Sequence, residues 1–366
     1  MTWTIMAFLV AYFFAFNIGA SGSAAAMSVP YGSGAVKRRS TALMLCAGGI
    51  LAGAVIGSGE VVETLSKSLV PPAVLTTQVV VIILMAAAGT LFITNLLGIP
   101  LSTSEVTVGA IVGAGLSLQM LNLQTLSVII AFWFAVPVVA CLCTYLFSKG
   151  GDFLTKKRNK PLSPKLTKIA APILIAAGCL EAFAAGMNNV GNAVGPLVGA
   201  GIVSAHSGVV TGGICMALGV IFLGGKIIET GGKRIAKLSI WQGITVSCVS
   251  GLLVTFASIV GVPVPITQVT TSAIVGSGAA KQGAKVWRQP LIRTIVSIWV
   301  ISPLLSMVVS YCLVEIVVRS NFYTVSIIAG AIFATLGIAG LASSISKTGL
   351  VKNSQRKLLP KKIRRT

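Results

Sequence analysis

The residues best suited to chemistry in this sequence are polar side chains that lie within or beside long apolar stretches. Only seven residues are acidic, and six of them fall in such places: Glu60, Glu63, Glu105, Glu181, Glu229 and Glu315. An ionisable side chain inside a membrane is energetically costly and is usually functional. Four of them are therefore candidates for binding a proton or another cation, with an interfacial position as the alternative: Glu63, Glu105, Glu181 and Glu229.

Two glycine-rich stretches, 16–30 and 183–196, place neutral hydrogen-bonding groups inside apolar runs. A broken helix at membrane depth is tolerated only where it lines a cavity, and a restarted helix presents free N–H groups to an anion. The alternative is close packing of helices through small residues. The candidate binding residues are Asn17, Gly19, Ala20, Ser21, Gly22 and Ser23 in the first stretch, and Asn188, Asn189 and Asn192 in the second.

A second pair of polar stretches, 100–115 and 263–278, begins with proline and continues with hydroxyl residues. Because proline is favoured at the start of a helix, each stretch is predicted to open a half-helix. The hydroxyl groups would cap the helix N-terminus, bind an ion, or do both. The candidate binding residues are Ser102, Thr103 and Ser104 in the first stretch, and Thr267 and Gln268 in the second.

These pairs indicate an internal repeat. Gly19 matches Gly186, Glu63 matches Glu229 and Glu105 matches Gln268, at separations of 167, 166 and 163 residues. Basic residues mark the cytoplasmic side of a membrane, and they follow different stretches in the two halves. The pattern predicts inverted repeats at 1–148 and 169–345, a cytoplasmic basic linker at 149–168, a cytoplasmic tail at 346–366 and an N-terminus outside.

The composition sets the class of protein that must hold these groups. Of 366 residues, 55% are hydrophobic and 10% are charged, against about 25% charged in a soluble domain. The apolar runs are continuous rather than alternating, which excludes a β-barrel. We predict an all-α polytopic protein of the cell membrane with about 10–12 membrane segments, some of them broken or re-entrant.

Other classes of function find little support. The net charge of +21 could indicate binding to nucleic acid, but the basic residues lie between apolar runs, as topology signals do. The single His206 and seven scattered cysteines form no catalytic or metal-binding pattern. We therefore predict no enzyme activity, no nucleic-acid partner, no metal and no cofactor, and we leave open a homodimer.

At these residues the chain resembles the inorganic phosphate transporter (PiT) family. The GANDVANA-like signature of that family corresponds to GASGSAAA (19–26) and GMNNVGNA (186–193). Its ETI-like motif corresponds to Glu63-Thr64 and Glu229-Thr230, and its PVSTTH-like motif to PLSTSE (100–105) and PVPITQ (263–268). The resemblance implies a secondary transporter that holds an oxyanion at both GANDVANA-like motifs.

The departures from the family pattern resemble its sulfate permease branch. The signature aspartate is replaced by Gly22 and Asn189, and the histidine of the third motif by Glu105 and Gln268. Phosphate keeps a proton near pH 7 and gains from an acceptor, whereas sulfate has none to donate and suits a site made of donors. The loss of both aspartates therefore favours sulfate or a mimic such as thiosulfate, molybdate or selenate, with phosphate as the alternative substrate.

Transport of a dianion requires a driving force. Moving two negative charges inward against 100 mV costs about 4.6 kcal/mol, and the sequence lacks the GxxxxGK[ST] loop that binds ATP. We therefore predict symport with at least two protons, bound by the embedded glutamates, with Na⁺ as the alternative ion. An anion channel, which needs no coupling glutamates, is the rival class.

Overall fold

A computed structural model describes residues 1–96, 101–156, 164–229, 238–283 and 290–329. Throughout these residues the regular structure is helical, as predicted. The principal helices, in chain order, are α1 (Thr2–Ala20), α2 (Ser28–Gly32), α3 (Arg39–Gly57), α4 (Gly59–Glu63), α5 (Thr77–Leu96), α6 (Thr103–Ser117), α7 (Leu123–Lys156), α8 (Pro164–Gly199), α9 (Ala205–Leu223), α10 (Ile240–Ile259), α11 (Ile266–Gln282) and α12 (Pro290–Val317).

Eight helical segments among the described residues are long and apolar enough to cross a membrane. They are Thr2–Gly32, Arg39–Gly57, Thr77–Thr94, Leu123–Gly150, Ile169–Gly199, Ala205–Leu223, Ile240–Ile259 and Trp299–Val317. The chain is therefore a multi-pass membrane protein. The last apolar run of the sequence, 322–345, is helical over 322–329. The rest of this run, Pro100 and the tail from 346 lie outside the described residues.

The two proline-led stretches do open short helices. Helix α6 has 15 residues and α11 has 17, so at 1.5 Å per residue each is shorter than the roughly 30 Å apolar core of a bilayer. Each begins directly after an extended N-cap residue, Ser102 or Pro265. These are the half-helices that the sequence predicts, and their N-termini start inside the protein.

The prediction of a broken helix is correct for the first glycine-rich stretch and wrong for the second. Helix α1 ends at Ala20, and a 3₁₀ turn over Ser23–Met27 follows. At the break, the Ser21 hydroxyl donates back to the carbonyl of Asn17, a bond that competes with a regular helix. The second stretch lies instead inside α8, one continuous helix of 36 residues.

Glycines in both stretches serve close helix packing, which the sequence had left as the alternative. In four places an added Cβ would overlap the backbone carbonyl of a facing helix: Gly19 (Met216) and Gly219 (Phe16) between α1 and α9, and Gly186 (Ile50) and Gly53 (Phe183) between α8 and α3. A shift of 166 or 167 residues converts the first two contacts into the last two. Each half therefore supplies the same contact to the other half.

The half-helices repeat this exchange. Gly113 of α6 packs on the carbonyl of Met307 in α12, and Gly276 of α11 packs on the carbonyl of Cys141 in α7. Helices α6 and α11 are thus each held by a long helix from the other half of the sequence. The contact places the N-terminus of each half-helix deep in the bundle, where the candidate site residues lie.

Residues 315–329 form a small separate unit. Within it, Glu315 pairs with Arg319 over 3.3 Å. The Asn321 side chain accepts a hydrogen bond from the backbone N–H of Thr324 and so caps the helix that follows.

The glycine contacts give a direct test of this packing. We expect Gly53→Ala to destabilise the protein by about 1–3 kcal/mol, because the new methyl group must displace the backbone of Phe183. The matched control is Gly48→Ala in the same helix, where an added Cβ meets nothing within 4 Å. Melting temperatures in detergent measure the difference, and equal values for the two variants would contradict the close approach.

Candidate functional site

Three buried asparagines of α8 form the centre of the candidate site. Asn188, Asn189 and Asn192 lie on the part of α8 that faces the start of α6. The Asn189 carbonyl oxygen accepts from Thr103 Oγ1 at 3.0 Å, and its Nδ2 donates to Ser23 Oγ at 3.1 Å. Both glycine-rich stretches and one proline-led stretch therefore meet at Asn189.

The other two asparagines extend the network in opposite directions. Asn192 Nδ2 donates to Ser104 Oγ at 3.2 Å and to Asn189 Oδ1 at 3.3 Å. Asn188 Nδ2 donates to Ser258 Oγ at 3.0 Å and to the carbonyl of Val262 at 3.1 Å. The backbone N–H of Val264 donates to Asn188 Oδ1 at 3.1 Å. Asn188 thus fixes the turn between α10 and α11 to the centre of α8.

The N-terminus of α6 is buried beside these amides without a side-chain cap. Ser102 is its N-cap residue, is 3% exposed and makes no capping hydrogen bond. The Ser102 hydroxyl and the Asn192 carbonyl oxygen are both buried and have no hydrogen-bond partner among the described residues. A helix N-terminus carries a partial positive charge and unpaired N–H groups, so this arrangement is suited to an anion.

The two equivalent residues of the proline-led stretches contact each other. Gln268 Nε2 donates to Glu105 Oε1, and Ser302 Oγ of α12 donates to Glu105 Oε2 at 2.5 Å. Glu105 and Gln268 are 2% and 3% exposed. The carboxylate of Glu105 is thus occupied by these donors, while the hydroxyls of its neighbours Thr103 and Ser104 bond to the asparagines.

The remaining predicted residues of the first glycine-rich stretch have structural contacts. Asn17 Nδ2 donates to the carbonyl of Phe13 at 2.8 Å, and Gly19 packs against α9. Ala20 and Ser21 are half-buried at the end of α1. Gly22 lies against Thr267, whose methyl group would be 3.3 Å from an added Cβ. Ser23 alone among these residues contacts the asparagine cluster through its side chain.

A cavity of about 240 Å³ opens next to the turn that Asn188 fixes. It is lined by Thr64, Gln124, Thr125, Val128, Ile129, Val260, Gly261 and Val262. The lining contains polar but no charged side chains, and Val262 is the residue that it shares with the hydrogen-bond network of Asn188.

Comparison with known proteins identifies the class. The phosphate transporter family matches residues 18–310, a region that contains the asparagine cluster and all of its hydrogen-bond partners. The chain belongs to this family. The sulfate permease CysP of Bacillus subtilis (strain 168) is 46% identical over 343 residues, which cover 94% of this chain and 96% of that protein. Membership of this family supports anion transport.

Two more distant proteins are similar over most of the chain. A protein of Pyrococcus furiosus that is named among the phosphate permeases is 24% identical, over 81% of this chain and 92% of its own. A solved structure of a sodium-dependent phosphate transporter has a TM-score of 0.74 and 24% identity, and covers 86% of this chain and 98% of that one. The second comparison shows that the two proteins share a fold.

Within this phosphate transporter family member, the four candidate glutamates fall into two groups. Glu105 and Glu181 are buried. Glu63 is paired with Lys67 over 3.9 Å, and Glu229 with Arg39 over 3.0 Å, and their side chains are 60% and 41% exposed. The repeated motif therefore made Glu63 and Glu229 candidates for ion coupling, whereas burial in the structure distinguishes Glu105 and Glu181.

The site also contains three groups that the sequence did not indicate: Ser258, Ser302 and the backbone of the Val262–Val264 turn. A serine within an apolar helix commonly bonds to its own backbone, as the hydroxyl of Ser258 also does to Val254. The only available signal was the position of Ser258, a few residues before Gly261 and the proline-led stretch.

Proposed function

We propose that this protein is a proton-coupled sulfate permease that binds sulfate at the asparagine cluster and the N-terminus of α6. The observation that carries the proposal is a buried set of uncharged donors in which the nearest carboxylate, that of Glu105, is bonded to Gln268 and Ser302. A dianion without protons is favoured by donors and repelled by carboxylates. The 46% identity with a protein named a sulfate permease supports the same substrate.

In the structure the donors of the cluster bond to one another. Sulfate would replace several of these bonds, accepting from Asn189, Asn192, Thr103 and Ser104, while the free N–H groups of α6 contribute their partial positive charge. The unpartnered Ser102 hydroxyl would supply another donor. The first glycine-rich stretch reaches the cluster through Ser23, which accepts from Asn189, and its neighbour Gly22 lies against Thr267 of α11.

We further propose that the halves 1–148 and 169–345 are inverted repeats in the cell membrane, with the N-terminus outside and the C-terminus inside. The reciprocal glycine contacts between α1 and α9, and between α8 and α3, support a two-fold relation. Alternating access would then be a movement of the helix pair α1 and α9 against the helix pair α8 and α3, about the asparagine cluster. Protons supply the drive, with Glu105 as the coupling residue that lies nearest to this cluster.

A phosphate symporter, coupled to protons or Na⁺, is the second candidate. It is favoured by the family match and by the fold shared with a sodium-dependent phosphate transporter. The two functions differ at Gly22 and Asn189, which provide no carboxylate to accept the proton of hydrogen phosphate.

Uptake into proteoliposomes distinguishes the candidates. We expect purified protein to accumulate radiolabelled sulfate when an inward proton gradient is imposed, and we expect thiosulfate to compete at equal concentration. Phosphate is expected to compete about 100-fold less well, because its proton would meet no carboxylate at the site. Equal competition by phosphate without competition by thiosulfate would overturn the sulfate assignment, and uptake indifferent to the proton gradient would indicate a channel.

A further inference from the structure

A second buried carboxylate lies away from the asparagine cluster. Glu181 of α8 is 3% exposed, and its Oε1 accepts from Thr270 Oγ1 at 2.8 Å. Its other oxygen, Oε2, is buried and has no hydrogen-bond partner among the described residues. An ionised carboxylate in this position is costly unless its oxygens are satisfied. The free Oε2 is therefore the atom at which a proton would bind.

The surroundings of Glu181 contain hydroxyls and thiols but no paired cation. Ser247 of α10 faces the carboxylate, and Ser250 lies one turn further along the same helix. Both hydroxyls are fully buried and have no hydrogen-bond partner within the described chain. The titratable groups that approach Glu181 from other elements are Cys46 of α3 and Cys248 of α10. No ion pair of the described residues includes Glu181.

Both buried carboxylates are bonded to the same element. Gln268 donates to Glu105 and Thr270 donates to Glu181, and the two donors lie two residues apart in the first turns of α11. A carboxylate accepts hydrogen bonds at both oxygens, whereas a carboxylic acid donates from one of them. Protonation of either glutamate removes the charge of the acceptor and therefore weakens the hydrogen bond that holds the start of α11.

We propose that Glu181 binds a second proton in each transport cycle and that Thr270 transmits its charge state to α11. The inference rests on the proposed sulfate symport and assigns one proton to Glu105 and one to Glu181. On protonation, Oε2–H of Glu181 donates to the free Ser247 hydroxyl, and the proton is released to water when the site opens on the other side. Two protons cancel the charge of one sulfate, so the complete cycle moves no net charge.

The experiment measures the charge that accompanies sulfate. Proteoliposomes are clamped with K⁺ and valinomycin at 0 or −100 mV inside, under a fixed proton gradient. Wild-type accumulation of sulfate is expected to be the same at both voltages. The Glu181→Gln variant keeps a neutral side chain and loses one proton, so each cycle carries one net negative charge inward. Its accumulation is expected to fall about 50-fold at −100 mV relative to 0 mV.

Three measurements keep the result interpretable. Exchange of labelled for unlabelled sulfate at equilibrium needs no proton gradient, and its retention by Glu181→Gln shows that the variant folds and binds. Glu60→Gln, an exposed glutamate of α4, is the matched control and is expected to behave as the wild type. Thr270→Val is expected to show the same voltage response as Glu181→Gln, and Thr270→Ser to restore wild-type behaviour.

The outcomes separate the two levels of the proposal. If Glu181→Gln exchanges sulfate and its accumulation remains independent of voltage, Glu181 carries no coupling proton and the inference is wrong. If the wild type neither accumulates nor exchanges sulfate, the proposed function itself is wrong. If sulfate accumulation by the wild type depends on voltage, the two-proton stoichiometry is contradicted, but the proposed sulfate site is not.

Discussion

Replacing Asn189 by aspartate is expected to lower the affinity for sulfate by about 1,000-fold or more at neutral pH. The new charge would lie among the donors proposed to bind the dianion. Two unit charges 4 Å apart repel by about 4 kcal/mol at an effective dielectric constant of 20, and the second charge of sulfate adds to this. Even 4 kcal/mol corresponds to about 1,000-fold in binding.

The shape of the site is expected to survive this substitution. Oδ1 of Asn189 accepts from Thr103 and Asn192, and a carboxylate oxygen can accept in its place. The bond to Ser23 is kept if the Ser23 hydroxyl becomes the donor. The same carboxylate would accept the proton of hydrogen phosphate, so we expect phosphate to compete better in the variant than in the wild type.

Equilibrium binding of sulfate, followed by protection against thermal unfolding, measures this effect. The matched control is Asn321→Asp, which adds the same charge at the N-terminus of the helix after α12, where a carboxylate is favourable. An unchanged sulfate affinity in Asn189→Asp would remove Asn189 from the binding site. An equal loss of sulfate affinity in both variants would point to the net charge of the protein, rather than the position of the new carboxylate, as the cause.

The sequence predicted the parts of this site because polar groups inside apolar runs have few alternative uses. The proline-led stretches open half-helices at Thr103 and Ile266, as expected, and Glu105 contacts Gln268, the residue that the repeat offset matches with it. A hydroxyl or an amide group at membrane depth must find a hydrogen-bond partner, and other polar groups at that depth are the partners available.

Glycine was where the sequence was ambiguous, because it serves two opposite purposes. Gly186 permits the α8 and α3 backbones to approach, whereas the break after Ala20 coincides with Ser21 and Gly22. Both stretches look alike as strings of small residues, and only the facing helix distinguishes a glycine that packs from a glycine that allows a break.

Burial was the other quantity that the sequence could not supply. Glu63 and Glu229 occur in repeated motifs, while Glu181 has no counterpart, since Phe14 stands 167 residues before it. Yet Glu63 and Glu229 are ion-paired, with side chains that are 60% and 41% exposed, whereas Glu181 is buried and bonds to α11. A motif records which residues recur, whereas the capacity to exchange a proton in the membrane depends on the surroundings of each carboxylate.

Neutralising both buried carboxylates at once is expected to abolish proton coupling. In the double variant Glu105→Gln/Glu181→Gln neither side chain can take up a proton, so sulfate crosses with both of its charges. At −100 mV inside, this opposes accumulation by about 4.6 kcal/mol, or about 2,000-fold in the ratio of internal to external sulfate. Glutamine retains the acceptor that Ser302 and Thr270 require, and sulfate exchange at equilibrium should persist.

The opposite double variant, Glu63→Gln/Glu229→Gln, decides which pair carries the protons. It breaks the ion pairs with Lys67 and Arg39, which are exposed and contribute about 1 kcal/mol or less each. We expect it to accumulate sulfate under a proton gradient as the wild type does, with internal acidification measured in parallel by a trapped dye. Loss of acidification in this variant while it still exchanges sulfate at equilibrium, together with retention of acidification in Glu105→Gln/Glu181→Gln, would transfer coupling to the exposed pair.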